Sequence, residues 1–179
     1  MEFSPTRLAG AYVIEPVPQT DERGFFARLF CVREFEEHGL NPRVVQCSLS
    51  YTRNRGTLRG MHYQTPPACE VKLVRCIRGG IYDVIVDLRP DSPTYKSHFA
   101  IELTAGNRRA LYVPERFAHG FQTIEDETEV FYQMSEFYTP GKADGLRYDD
   151  PALGIRWPLP VSDISERDRQ WPLLAERRT

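Results

Sequence analysis

The chain has 179 residues, a length that fits one domain over 1–179, since domains commonly hold roughly 100 to 150 residues. An apolar fraction of 41% with 12% aromatics supports a packed interior and excludes the low-hydrophobicity signature of disorder. A formal charge of −2 argues against a nucleic-acid surface or polybasic membrane contact, and no window holds the roughly eighteen apolar residues of a membrane span, so a cytoplasmic protein with a small ligand is expected.

Along the chain the apolar pattern is mostly of period two, which is the signature of strands. Strands are predicted at 25–30, 44–49, 57–63, 71–77, 81–88, 99–103, 110–113 and 129–136. A short helix is predicted at 32–38, closed by Gly39, and a second one begins near Ser165. In Ile81-Tyr82-Asp83-Val84-Ile85-Val86-Asp87-Leu88, the residues Tyr82, Val84, Val86 and Leu88 share one face. The other face joins Asp83 and Asp87 to Ile81 and Ile85, so it suits a barrel interior or a site. Arg78-Gly79-Gly80 reads as a hairpin turn, and Pro90-Asp91-Ser92-Pro93 and Thr139-Pro140-Gly141-Lys142 read as loops. Many short strands with few helices predict an all-β sandwich or closed barrel. Cys31, Cys47, Cys69 and Cys76 form no CxxC pair, and reduced, partly buried thiols are expected.

Three segments concentrate residues suited to catalysis. Arg55-Gly56-Thr57-Leu58-Arg59-Gly60-Met61-His62-Tyr63-Gln64 offers His62, whose imidazole can act as a base near neutral pH. Pro114-Glu115-Arg116-Phe117-Ala118-His119-Gly120-Phe121 places His119 at the start of a strand after a turn. Val130-Phe131-Tyr132-Gln133-Met134-Ser135-Glu136-Phe137-Tyr138 carries two phenols an even number apart, able to point the same way and to donate protons. Taken singly, His62 and the two tyrosines suit a hydrogen-bonding or packing role better than a catalytic one, and the His119 pattern suits a core role equally well.

Taken in order, the segments resemble the dTDP-4-dehydrorhamnose 3,5-epimerase family of the cupin superfamily. The resemblance runs from Asp21-Glu22-Arg23-Gly24-Phe25-Phe26, through the His62 segment, Lys72-Leu73-Val74 and Asp83-Val84-Ile85-Val86-Asp87-Leu88-Arg89, to Ala118-His119-Gly120-Phe121, Phe131-Tyr132, Asp149-Asp150-Pro151, Trp157-Pro158 and Ser165-Glu166-Arg167-Asp168. It implies a cupin-type jelly-roll β-barrel with a few short flanking helices and the C-terminal segment packed over the barrel. It also implies a base at His62, a proton donor at Tyr132 and an aspartate, Asp168, paired with the base. Ser165-Glu166-Arg167-Asp168 is equally an S-x-x-D helix start in which Asp168 would cap backbone amides.

The same resemblance places Lys72 and His119 near the sugar and Arg23 and Arg59 on the diphosphate, with Phe26, Arg28, Gln46 and Tyr138 as further substrate contacts. Arg23 would reach a neighbouring subunit's site through exchanged strands, which implies a homodimer. The expected partner is a nucleotide-diphosphate sugar, with no cofactor. Many cupins bind a metal through an HxH pair, but His62-Tyr63-Gln64 has no second histidine, so no metal is expected.

Several positions depart from the family pattern. Arg28 stands where the family carries a glutamate associated with the nucleotide base, which opens cytidine, uridine and guanosine carriers. Gln46-Cys47-Ser48-Leu49-Ser50 lacks the usual asparagine, and Arg116 replaces a glycine in the turn before His119. Competing readings are a 3-only or 5-only epimerase, a cupin 3,4-ketoisomerase and a non-catalytic sugar-binding jelly roll.

Overall fold

The computed structural model describes residues 1–176. In chain order its strands are β1 (Glu2–Pro5), β2 (Tyr12–Glu15), β3 (Gln19–Asp21), β4 (Gly24–Phe26), β5 (Gln46–Thr52), β6 (Thr57–Gln64), β7 (Lys72–Arg78), β8 (Gly80–Asp87), β9 (His98–Thr104), β10 (Ala110–Val113), β11 (Phe117–Thr123), β12 (Thr128–Met134), β13 (Ala143–Gly145) and β14 (Asp163–Ile164). Helix α1 (Val32–Glu37) precedes β5, and the short α2 (Glu166–Arg169) follows β14. A 3₁₀ turn covers Leu174–Glu176.

The strands form two facing sheets in a jelly-roll sandwich, as the sequence predicts. One sheet runs β1-β2-β10-β7-β12-β5, and the other runs β13-β6-β11-β8-β9 with β14 added parallel to β6. Between them, Val74, Cys76, Leu111, Val113 and Val130 of the first sheet meet Ile81, Ile85, Leu103, Phe117 and Phe121 of the second. The alternation of β8 is resolved by this packing. Ile81 and Ile85 point inward, whereas Val84 and Val86 pack outward against Met61, Leu146 and Leu153. Asp83 therefore faces the interior with the isoleucines. On the outer side of the first sheet, α1 lays Phe35 over Ile14, Leu73, Ala110 and Tyr112.

Two expectations change. Arg78-Gly79-Gly80 does not close a hairpin, because β7 and β8 lie in different sheets and this turn carries the chain across the sandwich. Both sides of the turn find other partners: the Gly79 carbonyl accepts from Ala105 N–H and the Gly80 carbonyl from Ile124 N–H. The strand predicted at 25–30 stops at Phe26. Its continuation turns toward α1, where Arg28 Nη1 donates to Glu34 Oε1 at 2.8 Å. The β3–β4 hairpin is exposed along its whole length, with Phe26 75% accessible. Cys76 is buried, Cys47 is exposed, and all four cysteines are free. Among the described residues no helix is long and apolar enough to cross a membrane.

Candidate active site

A cavity of about 630 Å³ lies between the sheets, and each sheet contributes chemically distinct groups to it. Strand β6 presents Arg59 and His62, and its neighbour β11 presents His119 in register opposite His62. From the facing sheet, β12 supplies Tyr132, β7 supplies Lys72, and β5 supplies Gln46, Ser48 and Ser50. An imidazole and a phenol thus approach one space from opposite walls.

His62 is half exposed to the cavity and is backed by Asp168, with Nε2 2.6 Å from Asp168 Oδ1. Local chain chemistry brings the aspartate there. Ser165 caps α2 by accepting the Asp168 N–H at 3.1 Å, and this turn directs the Asp168 side chain inward. The carboxylate does not reach back to the helix start; its Oδ2 accepts the Gly60 N–H at 3.2 Å on β6. Burial alone would raise the Asp168 carboxyl, but the hydrogen bond and charge of His62, with donors from Gly60 and Trp171, hold it below the usual carboxylate range. A carboxylate held in its charged form thus lies directly behind the His62 imidazole. Gly60 permits the close strand crossing beneath it: at φ +127°, a Cβ there would fall 2.5 Å from Gly120 Cα.

His119 is buried and its Nε2 lies 2.7 Å from Oδ1 of the fully buried Asp83. Among the described residues Asp83 Oδ2 has no hydrogen-bond partner. The His119 and Tyr132 rings meet edge to face at 6.0 Å. Tyr132 is reachable from the cavity yet surrounded by protein, and its phenol is pushed far above the ordinary value by burial and by the charge of Asp83, against a smaller opposing effect of Arg59. Such a phenol keeps its proton until a strong base, such as a carbanion, takes it.

Lys72 is not a solvated strand lysine, for its side chain is only 12% exposed. Its Nζ lies 3.1 Å from Glu70 Oε1 and donates to the His62 carbonyl at 3.4 Å. Arg59 is held by Thr52 Oγ1 and the Tyr51 carbonyl, at 2.9 and 3.2 Å. Gln46 Oε1 accepts the Tyr138 N–H at 3.1 Å and so fixes the exposed loop that brings Tyr138 to the cavity.

Eight of the predicted site residues share this cavity: Gln46, Arg59, His62, Lys72, His119, Tyr132, Tyr138 and Asp168. Arg23, Phe26 and Arg28 do not line it within one chain. Arg23 is paired with Asp21 on the exposed hairpin, and Arg28 is paired with Glu34. Asp83, Glu70 and Arg167 belong to the site or its immediate support and escaped the sequence reading of roles. The pairing of aspartates with isoleucines on one face of β8 was the available signal for Asp83. Each histidine in the cavity is engaged by its own carboxylate, and among the described residues no three His, Cys, Asp or Glu side chains converge as a metal set.

Comparison with known proteins accounts for this arrangement. Residues 5–176 match the family model described as dTDP-4-dehydrorhamnose 3,5-epimerase. A relative of that name from Methanothermobacter thermautotrophicus is 47% identical over 97% of this chain and 95% of its own. The crystal structure of a dTDP-4-dehydrorhamnose 3,5-epimerase from Bacillus anthracis, with TDP and pyrophosphate bound, superposes with a TM-score of 0.93 at 40% identity, covering 97% of this chain and 99% of that one. ChmJ from Streptomyces bikiniensis, a 3′-monoepimerase in complex with dTDP-quinovose, gives 0.88 at 32% identity, covering 96% of this chain and 87% of its own. The jelly roll, the imidazole and phenol facing each other across its cavity and these likenesses lead to one assignment: the chain belongs to the dTDP-4-dehydrorhamnose 3,5-epimerase family and is a nucleotide-sugar epimerase, an isomerase.

Proposed function

We propose that this epimerase inverts C3, C5 or both in a dTDP-linked 4-keto-6-deoxyhexose, with His62 as base and Tyr132 as acid. The observation that carries the reading is their placement on opposite sheets across one cavity, with His62 backed by Asp168. Because Nε2 is engaged by Asp168, Nδ1 is the nitrogen left to take a proton from the carbon beside the C4 ketone. The C–H electron pair moves into a C–C double bond as the C4 oxygen becomes an enolate. The Lys72 ammonium stabilises that oxygen. Tyr132 then returns a proton to the same carbon from the other face, and solvent resets imidazolium and phenolate.

Arg59 and Arg23 of the partner subunit bind the diphosphate in a homodimer, for which guanidinium forks are well shaped. Three observations support a dimer: the β3–β4 hairpin is exposed along its length and meets the body of its own chain where Arg108 lies over Phe25, Phe26 on it is 75% exposed, and the outer sheet face exposes Leu49, Tyr51 and Ile77. The free cysteines agree with a reducing, cytoplasmic setting. Phe26 on that hairpin and Arg28 just after it, neither of which lines the cavity of its own chain, would meet the nucleotide of the partner's site. The thymidine carrier follows the TDP and dTDP-quinovose bound by the relatives.

Mixing tests the shared site. Arg23→Ala and His62→Asn dimers are each expected to be nearly inactive, and subunit exchange between them restores one intact site per hybrid dimer. No recovery after demonstrated exchange refutes the shared site. Deuterium wash-in with dTDP-, CDP-, UDP- and GDP-linked 4-keto sugars reads the carrier and the carbons inverted. Exchange confined to a carrier other than dTDP overturns the thymidine assignment.

A further inference from the structure

Strand β13 pairs with β6 so that Gly145 stands opposite His62. The space where a Gly145 side chain would sit is filled by Trp171, for a Cβ there would fall 2.3 Å from Trp171 Cε2 and 2.4 Å from its Nε1. The indole is therefore brought directly beside the base. From there its Nε1–H donates to Asp168 Oδ1 at 3.3 Å, the same oxygen that lies 2.6 Å from His62 Nε2. The other carboxylate oxygen accepts from Gly60. Three donors on two oxygens leave the carboxylate one rotation. The Arg167 guanidinium lies 5.0 Å over the indole and helps hold the ring in place.

We propose that Trp171 is a positioning residue of the epimerase: it fixes the Asp168 carboxylate against His62, moderates the negative charge that His62 feels, and helps keep water from the carboxylate. Trp171 is not among the residues lining the cavity, so it acts through Asp168 and not on the sugar. Gly145 is part of the device, since any side chain there would displace the ring. The proposal rests on the reading of His62 as the base.

Its sign follows from electrostatics. An N–H on Oδ1 withdraws charge from the carboxylate, so its removal leaves a stronger anion beside the imidazole and favours the imidazolium. The base form then requires a higher pH. Other charged and titratable groups share the cavity with the pair: Arg59 on β6, His119 on the adjacent β11, Tyr132 on the facing sheet, and Lys72 with Glu70 beside it. Asp163 and Arg167 approach from the C-terminal segment, and Asp144 from β13. All of them are retained when only the indole is changed, so their contributions cancel in the comparison.

Trp171→Phe keeps a ring in the seat and removes the N–H. The acid limb of its kcat/KM profile is expected to move up by about half a pH unit, a shift corresponding to part of one hydrogen bond. With it, kcat falls about 3- to 10-fold while KM stays within about twofold, and these ranges are order-of-magnitude expectations for one such bond. Imidazole NMR of the four histidines, with His62 assigned through His62→Asn, reads the same upward movement without reference to turnover. An unmoved limb and unmoved His62 resonances, whether or not the rate falls, overturn the proposal and leave Trp171 a packing residue. The His62→Asn enzyme separates the two readings: if it still exchanges substrate protons, the base assignment fails, whereas the NMR shift judges Trp171 alone.

Discussion

Replacing Asp168 by Asn removes the charge behind the proposed base, His62, while nearly preserving shape. The side chain is only 6% exposed, so water does little to replace the lost interaction. Its 2.6 Å contact to His62 is worth most when His62 has taken the proton, because both partners are then charged. Hydrogen bonds to charged groups contribute about 1.5–3 kcal/mol, and each ~1.4 kcal/mol is tenfold in rate, so kcat is expected to fall about 10- to 150-fold. KM should change by less than about threefold, since the Asp168 oxygens face protein donors and not the sugar. The assay is steady-state turnover of a 4-keto-6-deoxy nucleotide sugar, with thermal unfolding to show that the fold survives. A kcat within threefold of the parent enzyme, or a loss expressed wholly in KM, would refute the imidazolium argument.

Other perturbations separate chemistry from architecture. Tyr132→Phe is expected to retain proton loss to solvent deuterium while slowing inversion about 100-fold or more, read as deuterium content against product stereochemistry by NMR. Gly60→Ala must place a methyl 2.5 Å from Gly120 Cα at φ +127°, and denaturant titration should show a loss of more than about 3 kcal/mol. Burial would raise the Asp87 carboxyl, but bonds from Arg89, Ser92 and Thr94 outweigh it and lower it to about 2. A depressed folded value stabilises above the unfolded pKa near 4 and is lost as pH falls toward 2, a contribution of about 2 kcal/mol. Asp87→Asn should therefore be less stable than the parent at pH 6, with the gap closing between about pH 4 and pH 2.

Much of this site was legible because chemistry and periodicity coincide. The β-branched alternation of β8 marked its two faces, and the His62 strand was found nearly to its ends, Thr57 to Gln64. Strands β1 and β2 go unpredicted although β10, equally short, is found: β10 is an unbroken buried apolar run, whereas β1 is mostly exposed and the two are defined by pairing with each other and with β10, as β13 and β14 are by pairing with β6. In β11, Ala118-His119-Gly120 interrupts the apolar run, so its length depends on neighbours on both sides. The Asp168 assignment illustrates the same limit. Its sequence fits a helix cap as well as a partner for His62, and only the crossing of α2 over β6 shows that the carboxylate reaches His62 and Gly60 and not the helix start. Arg23, Phe26 and Arg28 lie outside what one chain can position around the cavity.

Proton NMR in deuterium oxide with dTDP-4-keto-6-deoxyglucose, run on the parent enzyme and on His62→Asn, addresses the base most directly. Deuterium should enter C3, C5 or both with the parent enzyme and neither carbon with the variant. Undiminished exchange by His62→Asn, or none by the parent with any nucleotide carrier, would contradict a mechanism of proton transfer across this cavity.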